Sequence, residues 1–78
     1  MKLEIITPEE ELFRGDVSSV KFPGTHGEFE VLNNHAAIIS TLTKGEIRII
    51  TIEDKIEKFN INGGVIEMEE NKIIVLAD

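Results

Sequence analysis

Ser19-Val20-Lys21-Phe22-Pro23-Gly24-Thr25-His26-Gly27-Glu28-Phe29-Glu30-Val31 reads as two alternating runs on either side of a turn signal. Val20 and Phe22 alternate with Ser19 and Lys21, and Phe29 and Val31 with Glu28 and Glu30. That is the period of a strand with one wet face. The same alternation opens the chain, where Leu3 and Ile5 interleave with Lys2 and Glu4. Turn signals recur every 8–12 residues or so, at Pro8, Gly15, Pro23-Gly24 through Gly27, Asn33-Asn34, Lys44-Gly45, Glu53-Asp54, Gly63-Gly64 and Glu70-Asn71. This spacing predicts an all-β sandwich or barrel of about eight or nine short strands. Abundant Ile, Val, Thr and Phe, with only three Ala, support strands over helices.

Some segments depart from the simple alternation. Ile47-Arg48-Ile49-Ile50-Thr51-Ile52 and Ile73-Ile74-Val75-Leu76 are apolar on both faces and are expected to sit centrally or beneath a partner. Pro8 to Arg14, with proline opening an acidic first turn, and Glu53 to Phe59 are the two stretches compatible with helix, neither long enough to stand alone.

Seventy-eight residues make one domain, and the absence of cysteine removes disulfides as a source of stability. Fifteen acidic residues against eight basic ones give a net charge of −7, with Arg14 and Arg48 the only arginines. Such a balance argues against a nucleic-acid platform. The longest apolar run, Ile73 to Ala77, is far below the roughly 20 residues that span a bilayer. Met1-Lys2-Leu3-Glu4 meets an acid before any apolar stretch, so no secretory signal is read and a cytoplasmic location is expected.

Few residues suggest chemistry. Ser18, Ser19 and Ser40 lie in strand patterns without a nucleophile elbow. His26-Gly27-Glu28 imitates the first half of a zinc-deaminase signature but lacks the cysteine pair. A metal or acid–base site from His26, His35, Glu28 and Glu30 is conceivable, yet the two glutamates are two apart on a strand and more simply form a solvated acidic face. Gly24 to Gly27 has neither the phosphate-loop spacing nor a following lysine. Gly63-Gly64 reads as a tight turn or bulge needing positive φ. His35, after Asn33-Asn34, is either a turn residue or a contact residue. What remains is a compact acidic β-module that binds other proteins, with a small hydrolase built on Glu28, Glu30 and His35 as the weakest competitor.

The segment from Phe22-Pro23-Gly24-Thr25-His26-Gly27-Glu28 through Val31-Leu32-Asn33-Asn34-His35-Ala36-Ala37-Ile38 resembles a segment of the epsilon subunit of F-type ATP synthases, PG-x-x-G-x-x-x-(V/I)-L/Y-x-x-H-A-P-L. Leu3 to Pro8, Leu12 to Gly15, Leu42 to Ile49, Gly63 to Glu67 and Val75 to Asp78 are similar to that family's other motifs, in order and over the whole chain. The resemblance implies a flattened β-sandwich of about ten short, mostly antiparallel strands, acting as a non-catalytic rotor part. It would sit at the foot of the central stalk and couple ring rotation to ATP synthesis. It further implies the gamma subunit and the c-ring as partners, no cofactor, metal or bound nucleotide, and a peripheral position on the cytoplasmic face of the bacterial inner membrane.

By motif position, Thr25 to Asn34 would face the c-ring, through Thr25, His26, Glu28, Glu30, Leu32 and Asn33, with Glu28 the foremost contact. Thr7, His35 and Ser40 would face gamma. Glu30, Asn33 and Ala37 stand where the family usually has Gly, Pro and Pro, which implies a looser or differently bent loop there. Members commonly run on past Leu76-Ala77-Asp78 into an inhibitory helical hairpin. The reading here is of a single domain, residues 1–78, without it. The alternative function is an independent acidic β-sandwich that binds another protein.

Overall fold

The computed structural model describes residues 1–78, which form eight strands and no helix. They are β1 (Lys2–Ile6), β2 (Glu11–Gly24), β3 (Gly27–Leu32), β4 (Ile38–Leu42), β5 (Gly45–Thr51), β6 (Ile56–Ile61), β7 (Gly64–Glu69) and β8 (Lys72–Ala77). The count falls below ten because residues 11–24 run on as one strand of 14 residues. That strand is shared. Its first half pairs with β1, while its second half lies between β3 and β5.

Two layers result. One contains β3, the second half of β2, β5 and β6, and the other runs β1-β8-β7-β4. Because β2 also meets β1 and, through Gly24 and Leu42, β4, the strands β1, β8, β7, β4 and β2 close a ring. Every pairing is antiparallel except β1 with β8, where Lys2 to Ile6 lie beside Lys72 to Leu76 in parallel register. The molecule is flattened, with extents of 27 × 24 × 18 Å.

Alternation decides which side chains meet between the layers. Val20, Phe22, Val31, Ile47 and Ile49 point inward from one, and Leu3, Ile5, Ile66, Met68, Ile73 and Val75 from the other, all buried. They belong to a single cluster of 15 buried apolar residues. Each such side chain contributes about 1.5–3 kcal/mol when fully buried.

Both stretches compatible with helix form turns and strands instead. Pro8 to Glu10 make only the turn between β1 and β2, where the Thr7 hydroxyl donates to the Glu10 carbonyl at 3.0 Å. Residues 11–14 then pair with β1, and residues 56–59 with β5. Segments so short cannot offset helix nucleation, whereas a neighbouring strand supplies backbone partners at once. The two segments also meet, with the Phe13 and Phe59 rings 6.0 Å apart. A second correction concerns the strands expected to be covered on both faces. β5 and β8 are interior to their layers, but Leu76 is 53% exposed and Ile52, just past β5, 61%.

Asn34 has φ 63°, the left-handed conformation that asparagine tolerates better than most residues. Gly63 and Gly64 have φ of 136° and 151°, as their pairing in the sequence suggested. At Gly64 a Cβ would stand 2.3 Å from the Leu76 carbonyl oxygen, so the backbones of β7 and β8 approach too closely for any side chain there.

Candidate functional site

Cross-strand register builds the outer face of the β3-β2-β5-β6 layer. Pairing of Lys21 with Glu30 and Arg48, and of Arg48 with Lys58, places three basic residues in a row across β2, β5 and β6. Glutamates flank that row. Arg48 Nη2 donates to Glu30 Oε2 at 2.6 Å, Lys21 Nζ stands 3.8 Å from Glu28, and Lys58 Nζ 4.0 Å from Glu46. Exposed pairs of this kind contribute about 0–1 kcal/mol each. The charges on this face are therefore largely matched within the molecule.

Glu30 is the best anchored of these groups. Its Oε2 also accepts a hydrogen bond from the Ser19 hydroxyl at 2.6 Å, and Arg48 Nη2 reaches Ser19 Oγ at 2.7 Å. Hydrogen bonding by Ser19, then by Arg48, holds the Glu30 carboxyl below its ordinary pKa. Ser19 is brought under the guanidinium by a bulge, since Val17 pairs with Thr51 but Ser19 already pairs with Ile50. The extra residue lets Ser19 and Val20 both be buried. Glu28 and Glu30 thus share a face as expected, but Glu30 is not a freely solvated charge.

The residues proposed for a ring-facing loop do not form one loop. Thr25 and His26 make the two-residue turn joining β2 to β3. Glu28, Glu30 and Leu32 follow on one face of β3, and Asn33 lies in the turn at its far end. At roughly 3.4 Å per residue, His26 and Asn33 stand about 20 Å apart. Nor is the segment loose, because β3 pairs with β2 in unbroken register from Leu32 to Gly27. The tip is tied to β4, with Thr25 Oγ1 2.8 Å from Thr41 Oγ1. At the other end the side chain of Asn71 holds the Asn33-Asn34 turn, accepting from the Asn34 N–H at 2.7 Å and donating to Asn33 Oδ1 at 2.9 Å. Side chains supply the constraint that proline would otherwise give.

Thr7, His35 and Ser40 are also separate. Thr7 follows β1 and Ser40 lies on β4, the two margins of the β1-β8-β7-β4 layer. His35 is exposed after the turn, its Nδ1 2.8 Å from the Ala36 carbonyl oxygen. No three His, Cys, Asp or Glu side chains gather in a metal-binding arrangement, so His26, His35, Glu28 and Glu30 do not converge.

One surface was only half legible. On the outer face of the second layer, register brings Leu76 beside Val65, one row from Ile74 and Ile39, which flank the exposed Glu67. Ile39 is 82% exposed and Val65 43%. The two-faced apolar run at 73–76 pointed to part of this patch. Ile39 and Val65 gave no such signal, because isolated apolar residues on a wet face are ordinary.

A sequence model of the β-sandwich domain of the ATP synthase delta/epsilon chain matches residues 1–78, all of the chain. The chain belongs to this family. Among relatives, the ATP synthase epsilon chain of Campylobacter concisus is 49% identical over 81 residues, covering 100% of this chain and 60% of that protein. That of Nitratiruptor sp. is 46% identical and again covered over 60% of its length. The chain thus spans well under two thirds of these relatives, but 88% of the Chlorobium limicola epsilon chain, to which it is 36% identical. In fold, this delta/epsilon-family β-sandwich superposes on a chain of the Euglena gracilis mitochondrial ATP synthase (OSCP/F1/c-ring) with a TM-score of 0.90 at 18% identity, covering 96% of this chain and 48% of the other. A chain of the Tetrahymena thermophila mitochondrial ATP synthase central stalk and c-ring gives 0.82 at 17% identity, covering 99% of this chain and 62% of that one.

Proposed function

We propose that this β-sandwich is a non-catalytic central-stalk part of a rotary ATP synthase, docking the gamma subunit to the c-ring so that ring rotation is transmitted to the catalytic head. The observation that carries the reading is the family match across all 78 residues. The two outer faces support it by their difference. One presents the charged stripe ending in Glu30, with Glu28 one row further along β3, suited to polar loops of a rotating ring. The other presents Ile39, Val65 and Leu76, exposed apolar side chains of the sort that mark a lasting protein contact, with Glu67 among them and Thr7 at the margin of the layer, while Ser40 lies on the opposite face of β4 from Ile39. Within this reading Glu28, held only by a 3.8 Å contact to Lys21, is the ring-facing charge free to change partner. Glu30, bound by Ser19 and Arg48, keeps the strand in place. The domain works peripherally, on the cytoplasmic face of a bacterial membrane; it has no helix, hence none long and apolar enough to cross one.

Co-purification of tagged protein from detergent-solubilised membranes is expected to bring down gamma and the c-ring, and recovery of neither overturns the reading. Glu28→Lys is expected to weaken ring docking up to tenfold, about 1.4 kcal/mol, while leaving the unfolding midpoint unchanged. Unchanged affinity at fixed, low salt removes Glu28 from the contact.

A further inference from the structure

Five asparagines occur in the chain, and Asn62 alone precedes a glycine. Asn62 is exposed between β6 and β7, and its side chain makes no hydrogen bond. The next nitrogen is equally unengaged, since the Gly63 N–H has no partner among the backbone bonds although Gly63 is buried. A carboxylate lies near the Gly63 α-carbon without bonding that N–H, with Asp78 Oδ2 2.9 Å from where a Gly63 Cβ would stand.

We propose that Asn62 is a site of spontaneous deamidation, with Asp78 near enough to receive the amide proton through water. The Gly63 nitrogen attacks Asn62 Cγ, forming a new C–N bond as its proton passes through water to the Asp78 carboxylate. Collapse of the tetrahedral adduct breaks the Cγ–Nδ2 bond, and ammonia departs with that proton. Water then opens the cyclic imide at either carbonyl, leaving aspartate or isoaspartate at position 62. No side chain on Gly63 obstructs the attack. The other asparagines are worse placed. Asn60 is followed by the β-branched Ile61 within β6, the side chains of Asn33 and Asn71 are pinned in place by hydrogen bonds, and Asn34 is followed by the bulky His35.

The product matters to this fold. It makes the net charge more negative than −7 by one unit. Isoaspartate also lengthens the backbone by one methylene between residue 62 and Gly63, one residue before Gly64, where Leu76 and Ala77 leave no room for a Cβ.

The test is incubation of the folded protein in mildly alkaline buffer, followed by peptide mapping for a mass gain of about one dalton and for isoaspartate. Conversion at Asn62 is expected about an order of magnitude faster than at the other four asparagines, and to vanish from this position in Asn62→Gln. Asp78→Asn is expected to slow it several-fold, and an unchanged rate withdraws Asp78 from the step. Asn62 remaining intact in the folded protein, while converting readily in the same protein held unfolded by denaturant, overturns the site.

Discussion

Glu30 carries two attachments that its position in an acidic alternating run did not announce. Its pKa is lowered by hydrogen bonding to Ser19 and then Arg48, so the folded state binds its proton less readily than the unfolded chain does. The stabilisation this provides is complete above the unfolded value, about 4.3, and is lost as the pH falls through the lower folded value. Glu30→Gln is therefore expected to flatten the acid limb of the stability profile. Denaturation midpoints at about pH 6 and about pH 3 should differ less in the variant than in the parent, and an equal difference refutes the assignment. The cluster was illegible because its members come from three strands, and the bulge at Val17 to Ser19 moves Ser19 out of simple alternation. Arg48 is not fully satisfied even so, for its Nε is buried without a partner.

Strands β1, β2 and β3 follow from alternation at Leu3 and Ile5, Val20 and Phe22, and Phe29 and Val31, because each has one dry face and one wet. Residues 11–14 and 56–59 resisted the same reading, since their pairing depends on β1 and β5 lying alongside rather than on local pattern. Glycine marks the element boundaries unequally. Gly27, at φ 121°, has open space around an added Cβ, whereas Gly64 has the Leu76 carbonyl and Ala77 Cα against it. Gly64→Ala is expected to cost about 2–5 kcal/mol, combining backbone strain with overpacking, and Gly27→Ala only the strain, about 1–3. Chemical denaturation of both variants measures the difference. Equal losses contradict the close approach of β7 and β8.

Across the whole molecule the contacts are distant in sequence, as the pairing of residues 2–6 with 72–76 requires. A domain so dominated by non-local strand pairs is expected to refold in milliseconds to seconds rather than microseconds, which stopped-flow measurement checks. The same parallel pair has a bearing on how the protein is born. β1 leaves the ribosome well before its neighbour β8, which lies at residues 72–77. Until β8 emerges, one edge of β1 has no native partner and the ring of strands stays open. Residues 1–78 must therefore be released almost whole before they can close. The nascent chain has no native halfway state to rest in, and its protection during synthesis falls to whatever shields an exposed strand edge.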